Sequence, residues 1–158
     1  MDKQELQKMI DTMPETSIRV SMVLNGLSDN LSLVRRVILA CVNHLNLNPA
    51  LLNDIKLATT EACTNVIKHA YDFEIEKTFD LKMVVSNDLF LIEVAYDDPA
   101  FVPNDIPTPN LKEIKEGGLG VFIIRNVMDA AEYVTDTETG KVVLYMIKKL
   151  NSKVASGG

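Results

Sequence analysis

Residues 78–96 read TFDLKMVVSNDLFLIEVAY, and this stretch limits the possible folds more than its neighbours do. Two runs rich in apolar residues, TFDLKMVVS and LFLIEVAY, are joined only at Asn87-Asp88. Asn and Asp tolerate the left-handed backbone that tight hairpin turns use. A parallel pair needs a crossover of a dozen or more residues, so a connection this short makes the pair antiparallel. A doubly wound parallel sheet is therefore disfavoured.

The flanking patterns enlarge the sheet and supply helices. SIRVSMVLNG (17–26) alternates Ile18, Val20, Met22 and Leu24 toward one side, as a strand does. Ser28 or Asn30 suits the N-cap of a helix running to about Leu45, with an apolar stripe of Leu33, Val34, Val37, Ile38 and Cys41. Pro49 opens a second, longer helix through ALLNDIKLATTEACTNVIKHAY. Four of the six prolines, Pro99, Pro103, Pro107 and Pro109, fall within DDPAFVPNDIPTP, which predicts an irregular loop. EGGLG ends that loop and leads into a helix, VFIIRNVMDAA. The strands EYVTDT and KVVLYMIKKL follow, with a turn at Glu138-Thr139-Gly140.

Together these patterns predict an α/β two-layer sandwich, a mostly antiparallel mixed sheet with helices on one face. One domain spans 17–150. Residues 1–16 form an N-terminal extension with a short helix carrying Leu6, Met9 and Ile10, and 151–158 a flexible tail.

Composition narrows the function classes. With 47% hydrophobic and 24% charged residues, the 158-residue chain has enough apolar content to fold alone. A net charge of −6 argues against a nucleic-acid backbone as main partner. No signal-peptide pattern and no run of about 20 apolar residues points to a membrane. Cys41 and Cys63 sit in apolar helical patterns rather than at metal-ligand spacing, which suits a reduced cytoplasmic protein with buried thiols.

The long helix carries an unusual polar row. On a wheel of 100° per residue, Ile55, Ala58, Ala62 and Val66 form one apolar arc, and Cys63, Ile67 and Ala70 a second. Glu61, Asn65 and Lys68 fall within about 60° of one another in the gap between the arcs. The row thus lies beside the core, where a pocket rim would be. A carboxylate there can accept a proton, an amide oxygen can ligate Mg²⁺, and an ammonium can balance phosphate charge. Spacing alone suits a solvated stripe as well. His69 reads as a packed or half-exposed histidine with only His44 as companion.

Two further features accompany the row. Gly117, Gly118 and Gly120 stand just before a predicted helix, where backbone N–H groups can approach an anion. No GK[ST] follows, so this is not a P-loop, and a plain turn accounts for the glycines equally well. Asp97 ends an apolar strand, a place that a simple turn residue also occupies.

Taken in order, EACTNVIKHAY resembles the N-box, and EGGLGVFIIRNVMD the second glycine box, of the anti-sigma factor serine-protein kinases. These belong to the Bergerat, or histidine-kinase-like, ATPase superfamily. The resemblance covers roughly residues 17 to 149, and the two motifs with two strands and a loop between them are specific as a pair. It implies a domain of Bergerat fold that holds ATP and Mg²⁺, phosphorylates a serine on an anti-sigma factor antagonist, and binds a sigma factor. Carried over by position, it implies Glu61 as general base and Asn65 as Mg²⁺ ligand, with Lys68 or His69 near the phosphates. Asp97 would hold the adenine amino group. Gly118, Leu119 and Gly120 would let the backbone close on the phosphates, and Val102 to Glu116 would form the ATP lid. Arg35 matches a partner-binding position, although an ordinary exposed helix arginine is an equal reading. A homodimer is implied too, with the apolar first helix and the leading segment as candidate surface.

One departure from the family pattern stands out. The first glycine box places glycines two and four residues after the aspartate, where this chain has Pro99 and Phe101. Glycine lets backbone pass close to a ligand, whereas proline fixes φ and removes a donor. The intact Glu61/Asn65 pair favours a kinase. Pro99 and Phe101 favour a protein-binding regulator that keeps the fold without useful catalysis.

Overall fold

The computed structural model describes residues 2–100 and 118–150. Phe101, the expected lid at 102–116 and the expected tail at 151–158 lie outside the described residues. In chain order the elements are α1 (Lys3–Asp11), β1 (Ile18–Asn25), α2 (Asn30–Val42), α3 (Pro49–Asn65), β2 (Thr78–Val85), β3 (Leu89–Asp97), α4 (Gly118–Val127), β4 (Ala130–Asp136) and β5 (Lys141–Lys149). A 3₁₀ turn, Asn43–Leu45, follows α2, and a π turn, Val66–Ala70, continues α3.

The strands form one sheet in the order β1-β2-β3-β5-β4, antiparallel at each of the four pairings. Alternation along the strands gives the sheet two different faces. Phe79, Leu81 and Met83, with Phe90, Ile92 and Val94 and then Val142, Leu144 and Met146, point to the inner face. There they pack with Val34 and Ile38 of α2, Ile55, Ala58 and Ala62 of α3, and Ile124 of α4. The two-layer sandwich expected from the sequence is this arrangement, with two corrections: the described strands pair antiparallel throughout rather than as a mixed sheet, and α1 lies on the other face.

The opposite face carries α1. Val84, Leu91 and Ile147 are cross-strand partners in one row, and Leu6 and Met13 bury themselves on it. A capping box starts α1: Asp2 Oδ1 accepts from the Glu5 amide at 2.8 Å, and Glu5 Oε2 from the Asp2 amide at 3.3 Å. The apolar side of the leading segment is therefore covered by its own sheet. On α2, Leu33 and Leu39 remain exposed.

Local details depart from the sequence reading where side chains intervene. Neither Ser28 nor Asn30 caps α2. Asp29 holds the N-cap position without a side-chain bond, and the Asn30 amide donates instead to Asn25 Oδ1 at 2.7 Å. The Asn87-Asp88 connection does not use the left-handed conformation. Ser86 organises it, because its Oγ accepts from the amides of Asp88 at 3.2 Å and Leu89 at 3.0 Å. The expected single helix from Pro49 to Tyr71 is α-helical only to Asn65. Beyond it the Tyr71 amide reaches back five residues to the Val66 carbonyl at 2.9 Å. Asp72 (φ 46°) and Phe73 (φ 60°) then turn the chain left-handed and end the helix.

Candidate functional site

The polar row lies beside the core, as the wheel requires. Ile55, Ala58, Thr59, Ala62, Cys63, Val66 and Ile67 are buried, while Glu61 and Asn65 are half-buried between them and solvent. Lys68 and His69 lie in the π turn and are exposed. A π turn has one more residue between donor and acceptor than an α turn, so Lys68 is rotated relative to the α-helical row. Single π turns of this kind recur at functional sites.

Helix α4 packs along α3 and brings the second motif to this row. Its start lies earlier than the sequence reading had it. Gly118, Leu119 and Gly120 are the first turn of α4 rather than a loop before it, so their amides belong to the unbonded N-terminal end of a helix. Gly120 is buried against α3. A Cβ there would fall 2.9 Å from Asn65 Oδ1, 3.1 Å from Asn65 Nδ2 and 3.1 Å from Glu61 Oε2. Only a glycine lets the α4 backbone come so close to both side chains. The two motifs thus meet at one point, with a carboxylate, an amide oxygen and a helix N-terminus together. That donor set fits a hard cation and phosphate oxygens.

Asp97 is tied to the same helix through Tyr71. The Tyr71 hydroxyl accepts from the Asp97 amide at 3.2 Å and donates to the Thr78 carbonyl at 2.8 Å. Tyr71 is buried, edge-on to Phe79 with centroids 6.3 Å apart, and the Lys77 ammonium lies 5.6 Å from its ring centroid. Burial raises its hydroxyl pKa, with the Asp97 amide bond opposing that shift. This side chain had no role in the sequence reading, although it closes the EACTNVIKHAY motif.

The departure at Pro99 has a structural setting. The Asp98 amide donates to the Gly140 carbonyl at 2.8 Å, and a Cβ on Gly140 would fall 3.1 Å from both Cα and Cβ of Pro99. Pro99 thus rests on the β4–β5 turn. Arg35 is exposed on α2. Among the described residues, no cluster of His, Cys, Asp or Glu could hold a metal by itself, and no helix is long and apolar enough to cross a membrane.

The chain resembles known proteins over most of its length. The histidine kinase-like ATPase domain family matches residues 24–148. A serine-protein kinase RsbW of Halalkalibacterium halodurans is 36% identical over 146 residues, covering 87% of this chain and 85% of its own length. An anti-sigma F factor of Oceanobacillus iheyensis is 30% identical over 138 residues, covering 84% and 92%. Two solved structures share the fold. The SiaB–SiaC complex of Pseudomonas aeruginosa gives a TM-score of 0.62 at 10% identity, covering 94% of this chain and 98% of that one. The RsbU and RsbW domains of Rv1364c from Mycobacterium tuberculosis give 0.62 at 12% identity, covering 84% of this chain and 32% of that one. The chain belongs to the histidine kinase-like ATPase domain family, among relatives named serine-protein kinase RsbW and anti-sigma F factor.

Proposed function

We propose that the protein is an ATP-dependent serine-protein kinase that doubles as an anti-sigma factor, phosphorylating an anti-sigma factor antagonist and sequestering a sigma factor. The observation that carries this reading is the seat of Gly120 against Asn65 and Glu61. The names of the relatives set the reaction and partner classes.

In this reading Glu61 takes the proton of the attacking serine hydroxyl. Asn65 ligates Mg²⁺ through its amide oxygen, and Lys68 or His69 lies by the phosphates. Gly118, Leu119 and Gly120 offer backbone amides to the phosphate oxygens, and the Asp97 carboxylate holds the adenine amino group. Arg35 contacts the partner. Bound MgATP supplies the phosphoryl group, whose in-line transfer needs positioning and charge neutralisation more than covalent chemistry. A homodimer in the cytoplasm goes with the same reading.

Titration calorimetry with MgATP, wild type beside Asn65→Ala, tests the pocket. Micromolar Mg-dependent binding that the variant loses supports the reading; no binding at millimolar ATP overturns it. Glu61→Gln then separates binding from transfer, keeping the first and abolishing the second. Pro99, resting on Gly140 where the family has a glycine, favours a second reading: a protein-binding regulator on the same fold without useful catalysis. Partner binding without nucleotide binding would select it.

A further inference from the structure

Lys148 lies near the end of β5, outside the residues assigned above, and only 8% of it is exposed. A lysine so enclosed needs partners for its ammonium. It has two. Nζ donates to Asp54 Oδ2 at 3.1 Å and also to the Val127 carbonyl. Val127 is the last residue of α4, where carbonyls lack intrahelical donors and partial negative charge gathers.

Asp54 lies on α3, seven residues before Glu61. Seven residues are about two helical turns, so Asp54 and Glu61 share a side of α3. The C-terminal end of α4 therefore meets the early part of α3 at Lys148. Its N-terminal end meets the late part, at Glu61 and Asn65. The two helices run antiparallel with a contact at each end, one made by a buried ammonium and one by a glycine.

We infer that Lys148 is a positioning residue whose ammonium sets the seat of α4 on α3, and so the closeness of the Gly120 backbone to Asn65 and Glu61. This rests on the nucleotide reading of that glycine turn. Lys148 acts through α4, bonding its last residue, Val127, while the turn opens the other end of the helix. The ten-residue helix carries the constraint from one end to the other. Removing the ammonium leaves the Val127 carbonyl without its donor, while half-exposed Asp54 can turn to water.

The test compares wild type, Lys148→Met, Lys148→Arg and Asp54→Asn by amide hydrogen exchange and by MgATP titration, well below each melting temperature. In Lys148→Met, exchange along α4 is expected to rise about tenfold relative to β2 and β3. MgATP affinity is expected to fall about fivefold or more. Lys148→Arg restores both, because a guanidinium offers donors to the same two oxygens. A folded Lys148→Met whose α4 exchanges no faster relative to the sheet, and whose affinity stays within about twofold, overturns the inference. Should that variant not fold, Asp54→Asn decides by the same two readings, with smaller shifts expected. A wild type that binds no MgATP removes the nucleotide reading alone; exchange along α4 then still decides whether Lys148 sets the helix.

Discussion

The Tyr71 hydroxyl accepts the Asp97 amide proton at 3.2 Å, across 26 residues of sequence. The same oxygen donates to the Thr78 carbonyl at 2.8 Å, so one phenol joins the end of the π turn after α3 to the start of β2 and the end of β3. Asp97 is exposed, and this bond is one of the constraints on where its backbone stands.

Tyr71→Phe removes the oxygen and keeps the ring against Phe79. Two backbone groups then lose a partner, which costs about 1–3 kcal/mol for each that stays buried. A fall of several degrees in melting temperature is expected, at about 2–4 °C per kcal/mol for a chain of this size. In the nucleotide reading, discrimination between ATP and GTP also narrows, since Asp97 is the proposed adenine contact. Melting unchanged from wild type would mean that water replaces the hydroxyl without loss.

The elements were legible in the sequence because hydrophobic period and turn length are local properties. The antiparallel pairing of β2 with β3 follows from a two-residue connection, and the two buried arcs of α3 follow from its wheel. The two halves of the candidate site could be read separately, Glu61 and Asn65 as a polar row and Gly118 to Gly120 as a glycine turn leading into a helix. Their meeting depends on how α4 docks on α3, which no local pattern states. Tyr71 and Lys148 escaped for the same reason, with partners as far as 26 and 94 residues away. A wheel of 100° per residue also cannot foresee a π turn. At Asn87-Asp88, turn propensity pointed to a left-handed backbone, and the Ser86 hydroxyl supplied an alternative bond pattern.

Gly140 has φ +71°, and a side chain there would also press on Pro99. Left-handed backbone costs a non-glycine residue about 1–2 kcal/mol before any contact is counted. Gly140→Ala is therefore expected to lower the melting temperature more than Gly140→Asn, because Asn tolerates this conformation. Thermal unfolding of both variants checks the order; equal losses would point to the Pro99 contact as the main constraint.

Alkaline pH acts through the core. Burial pushes the Cys63 thiol from its ordinary value of 9.0 up to about 12. Burial likewise pushes the Tyr133 hydroxyl up to about 12, against a lowering by Arg125. In the unfolded chain the thiol ionises above about pH 9, while the folded chain keeps the proton. The folded state therefore binds more protons between pH 9 and 12, and stability falls as pH rises through that window. Below it, Cys63 contributes no slope. Cys63→Ala is expected to be less stable near neutrality because of the small cavity, yet to lose less melting temperature between about pH 8 and pH 10.5. Parallel curves for the two proteins would remove Cys63 as a source of the slope.

Gly120→Ala separates site geometry from stability. In a helix, alanine is favoured over glycine by about 1 kcal/mol, which works for the variant. Against it stands a methyl 2.9 Å from Asn65 Oδ1 and 3.1 Å from Glu61 Oε2. Those atoms are the far ends of side chains, so they can swing aside at little cost to the fold. What they lose is their place beside the α4 backbone. The melting temperature is expected to hold or rise slightly, while MgATP affinity falls about tenfold or more. A variant that melts like wild type and binds MgATP equally well would show that the closeness of Gly120 to Asn65 is packing alone. Asn65→Ala measured beside it then tells whether the Asn65 amide acts on MgATP without that closeness: a loss of affinity keeps Asn65 as ligand, and unmoved affinity removes it.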